Sequence, residues 1–238
     1  MKVQAGLILI LFVLAGSGLA NAGALFTDDF EAGLSEKWVI GDFPQGAVGT
    51  WDVVEEEGNK FLQIGATASW TLASYPGVAS LNEHENIWAR VRFRMDSGSG
   101  PEVGLGLLTS VDDAAGNWYV GFVDNVDLGI DENNIAWHNR VPIPFAFEMG
   151  EWYILKVAVM GQTLHGKMWH EGEDEPEDWL TEQAVTTHLE DDGVGFVTYH
   201  DVVCFDDLIV SATEESLVMS VSPVGRLAAT WAEIKTAQ

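Results

Sequence analysis

The stretch "NIWARVRFRM", residues 86–95, sorts its side chains into two sets. Ile87, Ala89, Val91, Phe93 and Met95 occupy alternate positions, with Trp88, Arg90, Arg92 and Arg94 between them. A period of two is that of a β-strand, here with one dry face and one basic, aromatic face. Each guanidinium is a fixed cation with a planar fork of donors, and an indole adds a flat ring and one N–H. Such a surface suits sugars, whose C–H faces stack on rings while hydroxyls or carboxylates accept the donors. Arginine forks further favour a uronic or sulfated glycan through paired charge-assisted bonds. Two other segments carry a similar mixture: Tyr119 opposite Trp118 and Phe122, and His138 with Arg140 opposite Ile135 and Trp137. Trp88, Arg90, Arg92, Tyr119, His138 and Arg140 are therefore the candidate ligand-binding residues. A structural reading stands beside this one. With 11 Lys plus Arg against 37 Asp plus Glu, the arginines have many acids to pair with on neighbouring strands. Strand adjacency decides between the two.

Other chemistries find less support. A glycosidase needs two carboxylates about 5 Å or more apart, flanking one bond. Glu171, Glu173 and Glu175 in "HEGEDEPEDW" are close in sequence, but Gly172 and Pro176 interrupt them, which predicts an acidic loop. Asp124, Asp127 and Asp131 are spaced three and four apart and do not share one strand face; a solvated turn is expected there. "DSGSGP" at 96–101 reads as a turn, without the strand-to-helix setting of a serine nucleophile. His84, His165 and His170 lack zinc-ligand spacing, and no glycine-rich loop precedes a helix to cradle phosphates.

The elements that must hold these residues are strands. From residue 25 to 211, short alternating segments recur between Gly, Asn, Asp and Pro, with no long helical period. "EEEGN" and "MGQT" have the composition of tight hairpin turns. About a dozen strands require two packed sheets, so the expected fold is an all-β, two-sheet antiparallel sandwich. Residues 1–22, with Lys2, an apolar run and Ala20-Asn21-Ala22, read as a secretory signal peptide, a retained N-terminal anchor being the competing reading. Residues 23–212 form the sandwich, and 213–238 a C-terminal extension. Within it Leu227, Trp231 and Ile234 are spaced for a short amphipathic helix that packs on the sandwich or docks on a protein partner. The mature chain is expected to be secreted, extracellular or periplasmic, with no later membrane span. A net charge of −26 repels nucleic acid and anionic lipid. The single cysteine, Cys204, rules out an intramolecular disulfide and sits in an apolar strand pattern, as a buried thiol would.

Taken in order, "FTDDFEAGLSEKW", "GTWDVVEEEGNKFLQIG", "IWARVRFRM", "NWYVGFVD", "EWYILKVAVMGQTLHGKMWHEGEDEPEDW" and "GVGFVTYHDVVCFDDLIVS" resemble the concanavalin A-like lectin/glucanase group, the jelly roll that laminin-G-like domains share. The resemblance covers almost all of residues 23–212. It implies a jelly-roll sandwich, a glycan or polysaccharide partner and, where the terminal strands meet, a structural calcium ion held by carboxylate and carbonyl oxygens. Asp28, Asp29, Asp206 and Asp207 are the metal candidates that it implies. The competing view is that one Asp of each pair faces solvent and the other caps a turn. This fold hosts enzymes, lectins and adhesive modules alike. The expected function is a secreted, non-catalytic carbohydrate-binding or adhesive module of the laminin-G-like type. The alternatives are a glycoside hydrolase-like enzyme with acid and base drawn from different strands, and a structural surface or matrix protein.

Overall fold

Ile87, Ala89, Val91, Phe93 and Met95 are all fully buried, as the dry face of a strand requires. They lie in a computed structural model that describes residues 23–43, 49–65, 70–112, 115–124, 127–134, 137–138, 143–145, 148–184 and 190–217. Its strands are β1 (Ala24–Asp28), β2 (Val39–Phe43), β3 (Thr50–Glu56), β4 (Asn59–Gly65), β5 (Trp70–Tyr75), β6 (Asn86–Asp112) and β7 (Ala115–Asp124). They continue as β8 (Asp127–Asn134), β9 (Trp137–His138), β10 (Ile143–Pro144), β11 (Trp152–Met160), β12 (Thr163–His170), β13 (Thr181–Ala184) and β14 (Gly193–Ser211), followed by a 3-10 turn at Glu214–Leu217. All the described pairings are antiparallel. No helix among the described residues is long and apolar enough to cross a membrane.

Two long strands join the layers. The first half of β6 lies between β11 and the second half of β14, and its second half lies between β7 and the first half of β14. One layer runs β13, β12, β11, β6, β14, with β1 and β4 on the far side of β14 and β3 beyond β4; the other runs β10, β8, β7, β6, β14, β5, β2. The two antiparallel sheets make a jelly-roll sandwich. Between them, Val91, Phe93, Leu155 and Phe205 from the first layer meet Leu105, Val194 and Phe196 from the second. Phe196 stacks on Phe205 with ring centroids 4.1 Å apart. Each such side chain contributes about 1.5–3 kcal/mol by leaving water.

Both hairpin turns expected from sequence are present. Glu57 and Gly58 join β3 to β4 at φ 55° and 85°, the doubly left-handed conformation of a two-residue turn whose twist matches its strands. Gly161, at φ 61°, does the same work between β11 and β12.

Two expectations need correction. "DSGSGP" is no turn, because β6 continues through it, with Ser97 opposite Val202 and Gly98 opposite Asp201. Small residues and register shifts at Tyr199/Asp201 and Val202/Val203 let both long strands bend from one layer to the other without losing their pairing. "DLGIDENN" is a strand, β8, paired with β7 from Asp124↔Asp127 to Asn117↔Asn134; its ladder depends on main-chain groups, which an apolar count does not register. Of "NIAWHNRV", Asn134 ends β8 and Trp137–His138 form β9; its other residues lie outside the described residues. The predicted helix around 227–234 and the leader at 1–22 lie outside the described residues.

Candidate functional site

Antiparallel register assembles the basic face. Arg90 stands opposite Lys156, which stands opposite Lys167; Arg92 stands opposite Ile154 and that residue opposite Trp169; Arg94 stands opposite Trp152. Five cations and several indoles therefore share the outer side of β6, β11 and β12. Unscreened, so many like charges would repel, so their counter-charges decide whether the face is stable.

At one end most of those counter-charges sit on strands. Arg94 binds Asp96 at 2.6 Å and Glu56 at 2.7 Å, which raises its already high pKa. Arg92 lies 3.9 Å above the Trp152 ring. Its Nη2 donates to Glu171 Oε2 at 3.0 Å while Nε approaches Oε1 at 2.9 Å off the N–H axis, and Nη1 donates to Asp206 Oδ2 at 3.1 Å. Asp206 also accepts from Asn59 at 2.9 Å and from the Asp207 amide at 2.8 Å. Burial and the neighbouring Asp207 charge push its carboxyl up to about 6.

At the other end they sit on irregular chain. Lys156 and Lys167 are buried, with side chains 4 % and 5 % exposed, and both bind Glu175 Oε1, at 2.7 and 2.6 Å. Lys156 also binds Glu214 at 2.6 Å, and Lys167 donates to the Pro176 carbonyl at 2.9 Å. The Trp179 ring lies 4.8 Å from the Lys167 ammonium. Burial works against the charge of Glu175, yet its two lysine partners hold the carboxylate below its ordinary range.

Arg90 lies between these ends with neither arrangement. Among the described residues it makes no hydrogen bond or ion pair, its Nε is buried, and its guanidinium lies 5.8 Å from the Trp169 ring. Burial lowers its pKa, against the more distant charges of Glu175, Asp207 and Glu171. Trp88, on the same face, is 8 % exposed and packs with Ala158, Ile209 and Leu217, its Nε1 also without a partner. Trp169 is 6 % exposed. Leu217 of the turn Glu214–Leu217 and Trp179 of segment 171–179 both pack in the cluster around Trp88.

Of the six candidate ligand-binding residues, the structure gathers Trp88, Arg90 and Arg92. Tyr119 lies opposite Leu107 and Glu132, and His138 opposite Glu132, along the other half of β6. Arg140 lies outside the described residues. Lys156, Lys167 and Trp169 belong to the same face and were missed, although Lys156 alone interrupting the apolar run "YILKVAV" was a visible sign. Cys204 is buried, as its pattern implies, and burial with the Asp96 charge pushes its thiol up to about 12.

The aspartate pairs do come together, since β1 pairs with β14 and Asp28 stands opposite Leu208. Three of the four aspartates already accept hydrogen bonds. Asp28 accepts from the Phe30 amide at 3.0 Å and from Trp38 Nε1 at 3.1 Å, Asp29 from the Glu31 amide at 3.2 Å, and Asp206 from Asn59 and Arg92. Asp206 oxygens that accept from Asn59 and Arg92 do not fit a calcium cage, and among the described residues no three His, Cys, Asp or Glu side chains gather as a metal site. Glu171, just past the end of β12, and Asp206 in β14 converge on one guanidinium, but Asp206 is 2 % exposed, which keeps it from a substrate oxygen in this conformation.

No family model matches the chain, and no curated protein matches it in sequence. Solved structures do match it in fold. The carbohydrate-binding module CBM66 from Bacillus subtilis superposes with a TM-score of 0.54 at 15 % identity, covering 74 % of this chain and 95 % of that one. Lectin II from Ulex europaeus gives 0.51 at 14 % identity, covering 78 % and 97 %. At these identities the likeness is one of architecture: the chain folds as a jelly-roll sandwich of the kind found in lectins and carbohydrate-binding modules.

Proposed function

We propose that the protein is a secreted, non-catalytic carbohydrate-binding or adhesive module, laminin-G-like in type, whose binding face is the outer side of β6, β11 and β12. The observation that carries this reading is Arg90: a guanidinium with no bond or ion pair among the described residues, beside Trp169 and Trp88. Arg90 makes no close ion pair and meets the charges of Glu175, Asp207 and Glu171 only at longer range, whereas Arg92 and Arg94 pair directly with nearby acids. A donor fork beside indole rings suits a sugar, and a cation favours an anionic one. The fold shared with a carbohydrate-binding module and a lectin supports the class of ligand. A glycan array holding neutral, uronic and sulfated sugars, probed with the full chain in calcium and in chelator, tests the proposal. Retention of uronic or sulfated glycans is the expected result. A folded protein that retains none would overturn it.

A further inference from the structure

The basic face is covered by a piece of the same chain, and the way that piece is attached bears on how a ligand reaches it. Lys156 and Lys167 are almost wholly buried, yet their carboxylate partners lie on exposed chain: Glu175 is 37 % exposed and Glu214 50 %. The segment is tied by main-chain hydrogen bonds near its ends, from the Glu171 amide to Trp152, Glu173 to His170 and Leu180 to Gly166. Between Asp174 and Trp179 no main-chain to main-chain bond is made among the described residues. What fastens the middle is Glu175 on two lysines, the Pro176 carbonyl on Lys167, and the Trp179 ring over the ammonium groups.

We propose that residues 171–179 are an internal stand-in for an anionic polysaccharide, displaced when one binds; the inference rests on the glycan-binding reading above. Three observations lead to it. The carboxylates of Glu171 and Glu175 occupy Arg92, Lys156 and Lys167 as uronates or sulfates of a bound chain would. Trp179 packs against the cluster around Trp88, which is 8 % exposed, so a sugar ring reaches that indole only after Trp179 moves. Arg90 Nε and Trp88 Nε1 have no partner beneath that cover, so the internal carboxylates satisfy the face incompletely, whereas a ligand bringing its own acceptors supplies what is missing.

Opening without a ligand leaves buried Lys167 with no carboxylate and Lys156 with Glu214 alone, which is costly. Opening toward a polyanion exchanges one set of ion pairs for another and adds acceptors for Arg90 and Trp88. The closed state therefore dominates in the free protein, and the ligand selects the open one. A neutral glycan cannot replace the lost charges and gains nothing by the exchange.

The test places a spin label at the cover. Asp174 is exposed and Cys204 buried, so Asp174→Cys in the full chain takes one nitroxide at the centre of the segment. Dextran sulfate and alginate are expected to sharpen its spectrum toward that of a free loop, and uncharged dextran to leave it unchanged. Glu175→Gln, which loosens the closed state, is expected to bind dextran sulfate about tenfold more tightly, because less of the affinity is spent on opening. If that variant does not fold, the label on the otherwise native chain still decides. An anionic polysaccharide that binds while the spectrum stays unchanged overturns displacement and leaves the glycan reading standing. Failure of dextran sulfate, alginate and every array glycan to bind overturns that reading, and the displacement with it.

Discussion

At the Asp206 end of the outer face, Arg94 meets Asp96 in β6 and Glu56 in β3, and Arg92 meets Asp206 in β14 together with Glu171 at the start of segment 171–179. At the Lys156 end, the two lysines meet acids on segment 171–179 and on the turn after β14. An acid on a paired strand cannot leave without breaking a ladder of main-chain bonds. One on an irregular segment leaves at the cost of its own ion pairs. The first arrangement is permanent structure; the second is a closure that a competing anion can open. Arg90 marks the boundary, flanked by both arrangements and bound by neither.

The contrast is broken most severely at Arg92. Arg92→Ala leaves Asp206 buried without its cation and strips a guanidinium from Trp152, a loss of about 3–5 kcal/mol by urea denaturation. A loss under about 1 kcal/mol would mean that the strand-held end is no more fixed than the other. Glu175→Gln is expected to cost less, about 2 kcal/mol, because the carboxylate is partly exposed and Glu214 still serves Lys156; an effect as large as that at Arg92 would show the segment to be integral to the fold.

Acid sharpens the same comparison. Asp206 has its folded pKa raised to about 6, so its stabilising contribution is present below the ordinary value of 3.8 and is lost as pH rises through about 6. Glu175 is shifted the other way; its contribution is present above 4.5 and lost as pH falls through its lowered value. From pH 7 to pH 5 the Asp206 contribution is thus expected to raise the melting temperature, opposed by His165, whose burial lowers its pKa from 6.5, while the Glu175 contribution is lost only below about 4.5. Replacement of Asp206 by Asn should remove the gain between pH 7 and 5; persistence of that gain in the variant would assign it to another group. The smallest effect is expected at Arg90. With no bond to lose, Arg90→Met changes stability by about 0.5 kcal/mol or less, measured as melting temperature.

How much of this was legible beforehand differs between fold and site. The dry face of residues 87–95 could be read because alternation there is strict and every inward residue is apolar. β8 could not, since Gly129, Asp131 and Glu132 carry no apolar period and are held by their neighbours' main chains. "DSGSGP" has the residues of a turn, yet small side chains serve a bend through a corner equally well. For the site, types and face were legible, but partners were not. The aspartate pairs met as the pairing of terminal strands implied, while the hydrogen bonds that occupy their oxygens come from Trp38, Asn59 and Arg92, 10, 147 and 114 residues away from the Asp each one reaches. Likewise "HEGEDEPEDW" was recognisable as an acidic loop, but its landing place on Lys156 and Lys167 depends on register across three strands.

The most direct test of the binding face is a titration of the full chain and of Arg90→Met with dextran sulfate and with uncharged dextran by calorimetry. The account predicts that the native chain binds the sulfated polymer, and that Arg90→Met binds it at least about tenfold more weakly, a loss of about 1.4 kcal/mol, with its melting temperature unchanged. Equal affinity in the two proteins would contradict it and return the arginines of β6 to charge balance alone.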